Sequence, residues 1–385
     1  LAIRLPISGE QNKLHSGRGR LWIRGRVLIL GLITLTGAPP SNGAPDDAHE
    51  VQTALALAQG FKIDPARMAR DLAEMTKEPH VFGSKRQRAL ALWLQKSLRS
   101  DGLKAELEEF SAAVPVADGS SAVGVARLTE NYQGQNILAT LQAQRQPPPS
   151  CVIALASHYD TKRTSLGSYV GANDSGSSTV LLLQLMAYVQ RHKPKTRSSC
   201  SLVAWFFDGE EALLPNWTDG EYLHPAHIVD HTYGSRHAAG RLEFCGDKSG
   251  SKLCMPRSPL WPHGDGTRAK SPGPHLAALI LLDMVGAPRL KLSRDLSSTP
   301  SLLQLAVTGG SQLGYPNLFD TLAGQIDDDH TAFLARGVPS LNIIDFAHLE
   351  HWHKPTDITS TLAPASLELA GQLALLTASQ IGATK

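Results

Sequence analysis

The sequence predicts an α/β fold: a single domain with a mostly parallel central sheet flanked by helices. Three observations carry this. Four apolar runs lack polar alternation: CVIALASHYD from Cys151, SLVAWFFDGEE from Ser201, HLAALILLDMVGAP from His275 and GVPSLNIIDF from Gly337. Such runs read as strands buried on both faces. DSGSSTVLLLQLMAYVQRH, between the first two, reads as a crossover helix, so strand and helix alternate. Each run also ends in polar or titratable residues, and ligands bind beyond the carboxyl ends of parallel strands.

The elements follow in order. Residues 1–26 hold a net charge of +5, and Val27 to Gly37 are mostly apolar. A charged start before a short apolar run has the layout of a secretory signal, and the run is short for a membrane span. Residues 1–45 are therefore expected to be a signal peptide or N-terminal anchor plus linker, and 46–385 the catalytic domain. In DPARMARDLAEM, Asp64 is placed to cap a helix that has Pro65 at its first position. In SKRQRALALWLQKSLRSDG, Ser84 is the cap and Gly102 the stop. LKAELEEFSAAV and QNILATLQAQ are strand candidates, and RQPPPS breaks the chain. PASLELAGQLALLTASQ reads as a closing helix. Residues 216–233 and 243–275, rich in Pro, Gly and His, read as loops inserted into one domain.

Outside the N-terminal segment the chain is mildly acidic, with a net charge of −3, so nothing in it suggests nucleic acid. The four cysteines suit an oxidising compartment, hence a secreted, periplasmic or secretory-lumen protein. A membrane partner is expected only if the N-terminal segment stays as an anchor. If the runs from Cys151 and Cys200 are neighbouring parallel strands, their thiols lie side by side. Cys245 and Cys254 bracket a short loop. Pairing 151–200 and 245–254 is the working expectation, one of three connectivities that four cysteines allow.

The strand ends carry the chemistry. The first run ends in His158 and Asp160. Asp174 lies in the small-residue loop VGANDSGSS. The second run ends in Glu210 and Glu211, and the third carries Asp283. DDDH spans 327–330, and EHWHKPTD brings His351 and His353. Each has an ordinary alternative. Asp174 could cap its helix, Asp283 could serve a turn, and His353 could pack beside Trp352. A pair of adjacent glutamates is often a solvated surface. Together they form the His, Asp and Glu set that Zn²⁺ takes, with three ligands and an open fourth position. A metal also explains the carboxylates crowded after a buried strand, since like charges raise one another's pKa unless a cation lies between them. Trp217 and Trp352 are candidate walls of a small substrate pocket.

SHYDTK, VGANDSG, FFDGEEALL, YGSRHAA, LLDMVGAP, DDDHTAFLARGVPSL and WHKPTD, in this order, resemble the animal-type, zinc-dependent glutaminyl-peptide cyclotransferases. Those share the fold of the dinuclear zinc aminopeptidases of the M28 type. The resemblance covers roughly residues 60–385. It implies one zinc per chain, held by Asp174, Glu211 and His353, with Glu210 as general acid/base. It implies Asp283 as the acid that holds the substrate amine, Asp328 as its network partner, and Trp217 and Trp352 as pocket aromatics. The implied substrates are peptides or proteins with an N-terminal glutamine. There are departures. Asn342 stands where the animal enzymes typically have a histidine. Ser157 and Thr179 stand where the secreted ones often have a cysteine pair. The 216–233 loop is longer. Two rivals remain open. His158, Asp174, Glu210, Glu211, Asp283 and His353 also match a dinuclear aminopeptidase, with Asp174 bridging two zincs and His158 and Asp283 on the second. A catalytically dead ectodomain that binds partners would show lost ligand residues.

Overall fold

A computed structural model describes residues 2–3, 45–116, 129–141, 149–193, 200–217, 227–246, 250–261 and 272–381. The expected signal or anchor lies outside these residues apart from Ala2, Ile3 and Pro45. Eight strands matter for the site. They are β1 (Lys104–Pro115), β2 (Thr129–Thr140), β3 (Cys151–His158), β4 (Ser201–Phe207), β5 (Glu243–Phe244), β6 (Leu253–Cys254), β7 (His275–Asp283) and β8 (Ser340–Ile344). The sheet runs β1–β2–β4–β3–β7–β8, and the β5–β6 hairpin joins at the start of β7. β4, β3, β7 and β8 are mutually parallel, as their unbroken apolar runs predict. The sheet is mixed overall, because β1 pairs antiparallel with β2, and β2 with β4. β1 alternates Glu with apolar residues over its first half, the pattern of a strand with one wet face.

Alternate residues of the parallel strands feed two cores. Ile153, Leu155, Leu202, Phe206, Ile280 and Leu282 point to one side. There they meet α2 (Pro65–Met75), α3 (Lys85–Ser100), α4 (Ser178–His192) and α8 (Pro364–Gln380). Ala154, Trp205, Phe207 and Leu281 point to the other, against Ala238 of α5 (Tyr233–Gly240) and Phe333 of α7 (Asp329–Leu334). Burying an aliphatic side chain stabilises by about 1.5–3 kcal/mol. This two-sided burial is what holds the carboxyl ends of the strands in register. The helix ends behave as their sequences predict. The Asp64 side chain accepts from the amides of Ala66 and Arg67, and Ser84 from that of Gln87. Gly102 follows α3 at φ +83°, a conformation that costs glycine little. Helices α1 (Pro45–Gln59) and α6 (Pro300–Gln312) complete the layer.

Both expected disulfides are present, Cys151–Cys200 and Cys245–Cys254. The first bridges the starts of β3 and β4, at the opposite end of the sheet from the acidic cluster. Ser157 and Thr179 are joined by a hydroxyl contact of 3.3 Å. Each hydroxyl also donates to the His158 carbonyl.

Candidate active site

Three strand ends and two loops bring the predicted residues together. His158 ends β3 and Asp283 ends β7; Glu210 and Glu211 follow β4. His353 comes from the loop after β8, and Asp174 from a kinked turn before α4, where the Asp174–Ser175 peptide is cis. Asp174 does not cap the helix: Ser177 holds the cap position of α4, and the Asp174 carboxylate faces His158 and His353. Instead Asp357 holds the turn, accepting from the amides of Asn173 (2.8 Å) and Asp174 (3.2 Å).

His353 Nε2 lies 3.0 Å from Glu211 Oε1 and 3.3 Å from Asp174 Oδ2. On the other side of Asp174, His158 Nε2 lies 3.1 Å from Asp174 Oδ1 and 3.3 Å from Asp283 Oδ1. Two triads thus share Asp174, and in each the ligand atoms lie within 4.8 Å of one another. A tetrahedral ion with bonds of about 2.0–2.1 Å separates its ligands by roughly 3.3 Å, close to what His353 already shows. Glu211 Oε2 is buried with no protein partner. The Asp174, Glu211 and His353 donors fit a divalent cation.

The electrostatics agree. Burial opposes a charged His353 ring, yet the Glu211 and Asp174 carboxylates raise its pKa to about 9. Burial would raise Asp174, but hydrogen bonds from His158 and His353 hold it below the usual carboxylate range. Burial pushes Glu210 well up, with Asp328 adding to the rise. Burial likewise carries Asp283 up to about 7 against the pull of His158, and raises Asp328.

The backbone around the glutamate pair is irregular, so side chains must satisfy it. Asp160 accepts from the amides of Glu210 (3.0 Å) and Glu211 (3.2 Å). The buried Lys162 ammonium donates to the carbonyls of Ala212 and Leu214. Asp230 accepts from the amides of Leu213 (3.1 Å) and Leu214 (2.7 Å) and from the Tyr233 hydroxyl. Gly209, at φ +69°, turns the chain into the pair, and a Cβ there would come within 2.9 Å of the Phe82 ring. His353 (φ 54°) and Met284 (φ 50°), next to Asp283, also hold left-handed conformations. For non-glycine residues these cost about 1–3 kcal/mol and cluster at functional sites.

Asp208 is a framework residue. Its carboxylate takes the Gln135 amide (2.8 Å) and the Gln87 side chain, tying β2 and α3 to the turn. Asp328 caps α7, and its second oxygen accepts from Asn342 Nδ2 at 2.9 Å. The side chain at 342, the position at which the resemblance implies a histidine, thus supplies a donor to Asp328. Trp217 and Trp352 share one apolar cluster with Met284, Ile326 and Ile344. Trp352 stacks on His353 with centroids 4.1 Å apart and lines a hollow beside Asp174. Sequence reasoning gave no role to Lys162, Asp230 or Asp357. Lys162 and Asp357 lie within SHYDTK and WHKPTD, but a clamp on distant backbone has no periodicity to betray it.

Among curated proteins, a glutaminyl-peptide cyclotransferase-like protein of Bos taurus is 28% identical over 342 residues, covering 83% of this chain and 77% of the relative. Among solved structures, a glutaminyl cyclase from an Acidobacteriales bacterium is 25% identical, with a TM-score of 0.58 over 85% of this chain and 93% of that one. A leucine aminopeptidase precursor from Bacteroides thetaiotaomicron is 19% identical with a TM-score of 0.62, over 83% of this chain and 98% of that one. That last likeness is one of fold. The family model described as peptidase family M28 matches residues 136–378, the span holding both triads and the glutamate pair, and the chain belongs to that family.

Proposed function

We propose that the protein is a glutaminyl-peptide cyclotransferase, converting N-terminal glutamine of peptides or proteins to pyroglutamate with release of ammonia. The observation that carries this is the grouping of Glu210, Asp283 and Asp328. All three are buried, all have raised pKa values, and they adjoin the Asp174, Glu211 and His353 triad. Such a group holds and moves protons at neutral pH. The cyclotransferase names among its relatives support the same reading.

One zinc held by Asp174, Glu211 and His353 would polarise the γ-carboxamide carbonyl as a Lewis acid. Asp283 holds the substrate α-amine in line with the amide carbon. Glu210 takes a proton from that amine as its nitrogen bonds to the carbon. Glu210 returns the proton to the leaving nitrogen as the carbon–nitrogen bond of the amide breaks. Asp328, held by Asn342, raises the proton affinity of Asp283 and Glu210. Trp217 and Trp352 wall the glutamine side chain. With the nucleophile already inside the substrate, orientation and preorganised charge supply most of the catalysis. The two disulfides suit a secreted, periplasmic or lumenal protein. No helix among the described residues is long and apolar enough to cross a membrane.

The second reading is a dinuclear aminopeptidase. The His158, Asp174 and Asp283 triad favours it, because that triad offers a second ion a site sharing Asp174. Incubation with a glutamine-initiated peptide separates the two. A mass loss of one ammonia supports the cyclotransferase; release of free glutamine overturns it. Metal content agrees or dissents independently: one zinc per chain for the cyclotransferase, two for the peptidase.

A further inference from the structure

The 216–233 loop, longer here than in the enzymes the sequence resembles, carries near its end a histidine that the mechanism does not use. His231 is buried, and its ring centroid lies 4.4 Å from that of Trp217, at an interplanar angle of 39°. We propose that His231 is a positioning residue: it holds the Trp217 indole as a wall of the glutamine site and ties that wall to the frame that carries Glu210. The proposal rests on the cyclotransferase reading.

Trp217 needs such a support. Its indole Nε1 is buried and has no hydrogen-bond partner among the described residues, so no polar contact sets the orientation of the ring. Packing must set it. Ala212, Met284, Ile326 and Ile344 share an apolar cluster with the indole, and the aromatic ring packed against it is that of His231. Aromatic rings this close favour a limited set of orientations. His231 is itself well held. Its carbonyl accepts from Arg236 Nε (3.1 Å) and Nη2 (2.8 Å). Its Nδ1 lies 3.2 Å from the Thr232 hydroxyl, and its Nε2 lies 3.5 Å from Asp327 Oδ2. Asp327, which directly precedes Asp328, is fixed in turn by the Thr331 hydroxyl at 2.8 Å. On either side of His231, the Thr232 amide donates to the Glu210 carbonyl at 2.9 Å, and Asp230 holds the Leu213–Leu214 backbone. One short segment therefore braces the pocket wall, the proton carrier and the turn between them. Burial lowers the pKa of the imidazole to about 2, so it meets the indole as an uncharged ring.

The test is a double-mutant cycle, read in steady-state cyclisation of a glutamine-initiated peptide. His231→Asn and His231→Gln both delete the ring, so a folding failure in one leaves the other. Either should raise KM about fivefold, the scale of one aromatic pair, with kcat within about twofold of wild type. His231→Phe, which restores a ring, should return KM to within about twofold of wild type. In a Trp217→Leu background, whose own KM is raised, deleting the ring should change KM by less than about twofold, because the wall it supports is gone. A merely structural role for His231 would carry the same loss into both backgrounds. Equal fold-changes in the two backgrounds, or a KM unmoved by deleting the ring, overturn the assignment and leave the cyclotransferase standing. So does a Trp217→Leu variant with the wild-type KM, or a His231→Phe variant no better than His231→Asn. Failure of the wild-type protein to cyclise the peptide instead overturns the cyclotransferase reading on which the proposal rests.

Discussion

Replacing Lys162 by Met removes one ammonium from the centre of the site and keeps the length of the side chain. Lys162 is 4% exposed and donates to the carbonyls of Ala212 and Leu214, immediately after the glutamate pair. A hydrogen bond from a charged donor contributes about 1.5–3 kcal/mol, and a buried acceptor left unpaired costs about 1–3 kcal/mol. Against this, the substitution recovers part of the desolvation cost of a buried ammonium. A net loss of about 3 kcal/mol is expected, two hydrogen bonds reduced by that recovery. The catalytic effect should be larger than stability alone explains. The Ala212–Leu214 backbone aims Glu210 and Glu211, and a shift of about 1 Å in a reacting group lowers turnover about a hundredfold. Urea unfolding, followed by the fluorescence of the buried Trp205 and Trp217, measures the first quantity. Turnover of a glutamine-initiated peptide, under conditions where the variant is fully folded, measures the second. A stability change below about 0.5 kcal/mol with unchanged kcat would refute the clamp, because that is the range of ordinary surface substitutions.

Glu210→Gln should keep its zinc, measured by elemental analysis, and lose about 10²- to 10⁴-fold in turnover, the usual contribution of a general acid/base. His80 is fully buried, and burial lowers its pKa to about 4. An unfolded histidine titrates near 6.5, so between about pH 6.5 and 4 the unfolded chain takes up a proton that the fold refuses. Stability is therefore lost as pH falls through that window, by up to about 3 kcal/mol from this residue, and His80→Gln should flatten the acid limb of a stability–pH curve. Replacing both cysteines of Cys151–Cys200, which are 49 residues apart, should lower stability by about 4 kcal/mol on loop entropy. The same change at Cys245–Cys254, 9 apart, should cost about 3 kcal/mol, and chemical unfolding of the two double variants tests the order.

The parallel core was legible because strands buried on both faces cannot alternate. The runs from Cys151, Ser201, His275 and Gly337 carried that signal directly. The mixed edge was less legible, since direction is set by which strand a segment meets and not by its own composition. α1 and α6 were not anticipated. The site was legible wherever residue type implies chemistry: His158, Asp174, Glu210, Glu211, Asp283 and His353 do meet. The residues that hold the surrounding backbone were not. Asp160, Lys162, Asp230 and Asp357 act on backbone that is remote in sequence or turned irregularly, and local pattern does not encode such partners. Asn342 shows the reverse case. The resemblance marked it as a departure, and the structure shows its amide donating to Asp328.

The acidic cluster also dictates how metal binding responds to pH. Asp160, Asp174, Glu210, Glu211, Asp283 and Asp328 are all buried. They face one buried ammonium, Lys162, and the imidazoles of His158 and His353. So many carboxylates cannot all be charged in a dry interior without further cations, and protons supply them: His353 is raised to about 9 and Asp283 to about 7. A metal ligated through His353 Nε2 needs the lone pair that this proton occupies. Since pH 7 lies below 9, the metal-free ring is protonated there, and binding must expel its proton. Affinity for zinc should therefore rise with pH, about tenfold per unit for each proton released, between pH 6 and 8. Proton release measured in weakly buffered solution during zinc titration should reach at least one equivalent. An affinity independent of pH over that range would show that the ion does not replace a proton on His353, and would refute the raised pKa of its ring.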